Sequence, residues 1–92
     1  MVKPSDVVQF KTACEENAQI AQIFESEFLN KIRGPILDVG AGIGDICAVA
    51  FRNLSVIHLD INDYSTFPIP PGHSRIKADF FELTLPLDVE IN

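Results

Sequence analysis

The stretch Ile36-Leu37-Asp38-Val39-Gly40-Ala41-Gly42-Ile43-Gly44-Asp45 decides the fold. Its first four residues form a short apolar run broken only by one acid, which suits a strand buried on both faces. Three glycines at alternate positions follow, and they permit backbone conformations that side chains forbid. Residues 45–54 then read as a helix, with Ile46, Val49 and Ala50 on its inner side and Arg52 outside. Ser55-Val56-Ile57-His58-Leu59-Asp60 reads as a second strand ending on an acid. Strand, tight glycine turn, helix and strand make a βαβ unit, whose two strands run parallel with a right-handed crossover.

Upstream, apolar residues at Val7, Phe10, Cys14, Ala18, Ala21, Phe24, Phe28 and Ile32 recur in steps of three and four. That period marks one helical face. Ser5 is the expected cap of this helix, after Pro4, and Gly34 with Pro35 stops it. The run is long for one globular helix, so a break near Asn17 is expected. The phenylalanines of this stripe read as core packing. Downstream, residues 61–73 hold Pro68, Pro70, Pro71 and Gly72. These breakers exclude a full second crossover helix and leave room for one short turn near residues 62–66. Residues 74–79 are expected as a third, edge strand, residues 80–86 as a loop, and residues 87–91 as the start of a fourth strand. His58 reads as a satisfied structural histidine and His73 as a solvated loop residue.

The chain has 92 residues and a formal net charge of −6. That length holds one domain at most. The acidic balance, with basic residues scattered, argues against a nucleic-acid surface. No stretch reads as a membrane span, and the N-terminal residues do not read as a signal peptide, because charges at Lys3, Asp6, Lys11 and Glu15 interrupt them. Cys14 and Cys47 show no metal or redox spacing and read as ordinary apolar side chains in a reduced, cytoplasmic chain.

The chemistry gathers in the glycine loop and its acids. Asp60 lies 20 residues beyond Gly40, the approximate spacing of nucleotide-binding βαβ units, in which the second-strand acid accepts hydrogen bonds from ribose hydroxyls. The dinucleotide fingerprint GxGxxG would need glycine at position 45. Asp45 stands there instead, and its carboxylate repels a pyrophosphate. Asp38, inside the first strand, is costly unless partnered. It either binds an amino group of a ligand or caps backbone N–H groups of its own loop.

Residues 37–44 resemble motif I of class I S-adenosylmethionine-dependent methyltransferases, an acid followed by GxGxG. Asp60 stands where that family keeps its ribose acid. Ala78-Asp79-Phe80 is similar to the family's acid at the end of the third strand. The resemblance covers about residues 35–88. It implies a Rossmann-like three-layer α/β fold with strand order 3-2-1 and a partial fourth strand, truncated, in residues 35–92, preceded by a helical segment in residues 1–34. It implies that S-adenosylmethionine is held by Asp38, Gly40, Ala41, Gly42, Gly44, Asp60, Ile61, Asp79 and Phe80. In that arrangement the loop holds the methionine portion, Asp79 takes the adenine amino group, Phe80 lines the ring, and Ile61 packs on its other face. The N-terminal helix would then lie partly over the cofactor. Which of Phe80 and Phe81 faces the core is open. The family's sheet has seven strands, and the part that contacts the methyl acceptor lies beyond this stretch, so no catalytic residue carries over. A small molecule or protein acceptor fits the acidic balance better than RNA. Two other readings stand beside this one: a NAD- or FAD-binding Rossmann fragment, and a non-enzymatic half-fold that assembles with a copy of itself or with a missing C-terminal half.

Overall fold

The computed structural model describes residues 1–82 and the backbone of residues 90–91. It is an α/β structure built on three parallel strands. Helix α1 (Pro4–Glu16) and helix α2 (Ala18–Phe28) lead into strand β1 (Ile36–Val39). Helix α3 (Asp45–Ala50), strand β2 (Val56–Asp60) and strand β3 (His73–Lys77) follow. A single 3-10 turn covers Phe80–Glu82, and a two-residue strand β4 (Glu90–Ile91) closes the order. Strand β2 lies between β1 and β3, with Ile36 opposite Val56 and Val56 opposite His73. Glu90 and Ile91 pair in parallel with Ile36 and Leu37 on the other edge of β1. Residues 87–89 of the expected fourth strand and residues 83–86 of the expected loop lie outside the described residues.

The N-terminal helical run divides at Asn17, which caps both halves. Helix α1 buries none of its residues, whereas α2 buries Ala21 against the core. Val7 and Phe28, expected on the inner stripe, are exposed. The expected cap is corrected as well. The helix begins at Pro4 itself, with Lys3 as the extended capping residue and no side-chain cap. Proline suits the first helical position, because its fixed φ is already helical and its absent N–H would have had no partner there.

One apolar cluster, formed by Ala21, Ile36, Cys47, Ala50, Phe51 and Val56, joins α2 and α3 to one face of the sheet. Phe24, Leu29, Ile32, Ile46, Val49 and Leu54 pack around it. Helix α3 stops at Ala50, short of the expected residue 54. Phe51 leaves the helix there, with a φ of −121° and its ring fully buried. Turning the chain at Phe51 places that ring in the core and returns the backbone to β2.

Strand β3 also differs from expectation. It starts one residue early and ends at Lys77, leaving Ala78 and Asp79 beyond it. His73 is therefore a strand residue, only 7% exposed, and not a solvated loop residue. Gly72, with φ of +84°, completes the turn after the two prolines, so the strand begins at once. Between β2 and β3 there is no helix. The segment folds as a turn in which the Phe67 N–H bonds the Tyr64 carbonyl at 3.0 Å. No helix among the described residues is long and apolar enough to cross a membrane.

Candidate functional site

Parallel strands place their carboxyl ends on one edge of the sheet, and in open α/β sheets ligands bind outside that edge. Here the edge carries the glycine loop after β1, Asp60 at the end of β2, and Asp79 two residues past β3. The loop is tied down by backbone bonds. The Ala41 N–H reaches the Leu59 carbonyl at 3.0 Å, and the Gly44 N–H reaches the Ala41 carbonyl at 3.0 Å.

Asp60 braces this edge. Its Oδ2 accepts from the Gly42 N–H at 2.9 Å, and its Oδ1 accepts from the Asn62 N–H at 2.9 Å. One carboxylate thus fixes both the loop after β1 and the turn after β2. An ionised carboxylate offers about four acceptor positions, so each oxygen keeps capacity for a ligand hydroxyl. Asp79 behaves locally in the same way, with Oδ1 accepting from the Phe81 N–H at 3.0 Å. It therefore stabilises its own turn as well as facing the edge.

Two adjoining clefts open here, and Gly40 lines both. The first, of about 280 Å³, is bounded by Val39, Gly40, Leu59, Asp60, Ile61, Ala78, Asp79, Phe80 and Phe81. It is mostly apolar, with Ile61 64% exposed and Phe81 92% exposed at its rim. The second, of about 290 Å³, is bounded by Phe24, Asp38, Gly40, Ala41, Gly44, Asp45, Ile46 and Cys47. Small-molecule sites usually span about 300–1,000 Å³, a range the two clefts reach only when taken together.

The structure thus brings Asp60, Ile61, Asp79 and Phe80 to one cleft and Asp38, Ala41 and Gly44 to the other, while Gly42 lines neither and is held by Asp60. A Cβ added at Gly40 or Gly42 would meet nothing within 4 Å. The backbone at these two glycines therefore faces open space. Gly44 is different, because its Cβ would lie 2.6 Å from Nδ1 of His58. Its lack of a side chain admits the histidine beneath the loop.

Four participants were not assigned to the site from the sequence. Phe24 of α2 lines the second cleft. Asn17 donates to Oδ2 of Asp45 at 2.8 Å, which occupies that carboxylate beside the loop. His73 joins His58 through a 2.8 Å contact between Nδ1 and Nε2. Arg75 reaches the glycine loop itself, donating from one terminal nitrogen to the Ile43 carbonyl at 2.5 Å and to the Pro68 carbonyl at 2.8 Å. The alternation of β3 could have found the last two, since residues 73 and 75 share a strand face.

The fold is a parallel α/β sheet with two clefts at the carboxyl edge of its strands. No family model matches the chain, and no curated protein or solved structure matches it.

Proposed function

We propose that this chain is the cofactor-binding portion of an S-adenosylmethionine-dependent methyltransferase. The observation that carries the reading is the pair of clefts joined at Gly40, with one acid at the end region of each of three successive parallel strands. On this reading the sheet is the first half of a Rossmann-like sheet with order 3-2-1, and Glu90–Ile91 belongs to its fourth strand.

The residues present fit such a ligand. Asp60 offers two acceptors to vicinal ribose hydroxyls. The apolar cleft with Ile61, Phe80 and Phe81 suits a purine, and Asp79 suits its exocyclic amino group. Gly40 and Gly42 leave the space that a close ligand needs. Asp38 in the second cleft suits the ammonium group of the methionine part. When bound, the cofactor supplies an activated methyl group on a sulfonium. The residues of this chain bind and orient it, and rate acceleration then rests on proximity to an acceptor. A small molecule or a protein side chain is the proposed acceptor. A dinucleotide fits less well, because Asp45 stands where a pyrophosphate would approach.

Calorimetric titration with S-adenosylhomocysteine and, separately, with NAD tests the reading. Saturable binding of the first and none of the second is expected. Binding of NAD alone, or of neither, overturns it.

A further inference from the structure

Three polar side chains cross the helix-covered face of the sheet at one level. Asp38 on β1, His58 on β2 and Arg75 on β3 occupy paired register positions. His73 lies one step earlier on the same face, and its contacts fix where protons sit. Its Nε2 is 3.1 Å from the Phe51 carbonyl, which can only accept, so that nitrogen carries hydrogen. Burial, and then the neighbouring His58, disfavour a second proton on His73. Its Nδ1 is therefore a bare acceptor, and Nε2 of His58, 2.8 Å away, must donate to it.

That leaves Nδ1 of His58. It is buried, has no hydrogen-bond partner, and lies 3.5 Å from Oδ2 of Asp38. Gly44 closes over it. A bare lone pair here would face a carboxylate oxygen 3.5 Å away. A proton on Nδ1 turns that repulsion into attraction.

We propose that His58 is a positioning residue for Asp38: Nδ1 carries a second proton, and this N–H aims the Asp38 carboxylate into the second cleft, where it meets a ligand ammonium group. The proposal rests on the cofactor reading for the identity of that ligand, but the order of protons does not.

The other charged groups around His58 are already engaged. Arg75, on β3, points its fork at carbonyls of residues 43, 67 and 68. Asp45, on α3, is held by Asn17. Asp60, on β2 itself, accepts from Gly42 and Asn62. Asp38 is thus the carboxylate left to answer the imidazolium. When a ligand ammonium arrives at Asp38, two cations share one anion. The Nδ1–H bond then breaks heterolytically, its electron pair stays on nitrogen, and the proton passes to solvent.

Long-range nitrogen-15 NMR of the full chain tests the first half. His58 protonated on both nitrogens and His73 on Nε2 alone are expected; a bare Nδ1 on His58 overturns the proposal. Calorimetry in buffers of different ionisation enthalpy tests the second half, at a pH where the ligand amine is fully charged. S-adenosylhomocysteine should release about one proton, while 5′-methylthioadenosine, which lacks the ammonium, should release none. His58→Asn, which places a neutral donor near the same position, should keep affinity within roughly threefold and abolish proton release. His58→Leu should weaken binding roughly tenfold, and if it fails to fold, the Asn variant and the wild-type spectrum decide. Binding without proton release overturns the proposal. A doubly protonated His58 in a chain that binds neither nucleoside supports the histidine assignment and overturns the cofactor reading instead.

Discussion

Gly44→Ala is the sharpest probe of the glycine loop, because two separate costs meet at that residue. Its φ of +75° lies in the left-handed region, where a side chain costs about 1–2 kcal/mol. Its new Cβ would also stand 2.6 Å from Nδ1 of His58 and 3.2 Å from Cγ of the same ring. A buried ring cannot yield freely, so overpacking adds about 1–3 kcal/mol. Gly42→Ala is the internal control. It shares the first cost, with φ of +59°, and avoids the second, because nothing lies within 4 Å. The gap between the two variants, about 1–3 kcal/mol, therefore measures the fit of loop to histidine. Native domains hold roughly 0.05–0.15 kcal/mol of stability per residue, so Gly44→Ala should remove a large share of what the chain has. Urea titration followed by far-ultraviolet circular dichroism reads the gap, supported by a His58→Ala background in which the clash is absent. Equal losses for the two glycine variants, or no relief in the His58→Ala background, would refute the reasoning.

Four further outcomes follow. Asp60→Ala should lower stability by roughly 1.5–3 kcal/mol, since it removes a charged acceptor from two backbone N–H groups, and should also weaken S-adenosylhomocysteine binding at least tenfold by calorimetry. Arg75→Lys should destabilise by about 1.5–3 kcal/mol, because an ammonium cannot reproduce the planar fork; faster hydrogen exchange across residues 64–72 is the diagnostic. Burial holds His73 below the ordinary histidine range, so in the window between its folded and unfolded values the unfolded chain binds a proton that the folded chain refuses. Stability should fall as pH drops through that window, and His73→Gln should flatten this part of the urea-midpoint profile. Cys14 has its thiol pushed up by burial, then by Asp45 and Glu15, so its alkylation by iodoacetamide in the folded chain should be slower than in urea.

The βαβ unit was legible because its signals are local and agree. Residues 36–39 and 56–60 are apolar runs of strand length, and the glycines after the first mark a tight turn into the intervening helix. Parallel strands then force Asp38, Asp60 and Asp79 towards one edge, so the candidate site could be outlined without coordinates. What escaped depends on tertiary contact. The apolar pattern of residues 45–54 continues a helical period, yet the burial of Phe51 ends α3 early. His73 follows Pro70, Pro71 and Gly72, which read as loop, but its register opposite Val56 makes it a strand residue. The different duties of Gly42 and Gly44 were equally hidden, because one faces open space and the other faces an imidazole from a strand fourteen residues away.

The proline-rich crossover shows how a missing helix is replaced. A helix would satisfy its own backbone; this segment cannot, and Arg75 serves instead. Its guanidinium donates to carbonyls of Phe67 and Pro68 in the crossover and to Ile43 in the glycine loop. Its carbon lies 5.9 Å from the Phe10 ring centroid and 6.0 Å from that of Phe67, within reach of cation–π attraction. The charge is thus answered by carbonyl dipoles and aromatic faces in a partly dry setting, which pushes its pKa down. Helix α1 closes the arrangement. It buries no residue of its own, yet Asp6 accepts from the Thr66 hydroxyl, the Lys3 N–H bonds the Thr66 carbonyl, and Phe10 covers the guanidinium. One arginine therefore ties together the crossover, the glycine loop and the ring that α1 contributes.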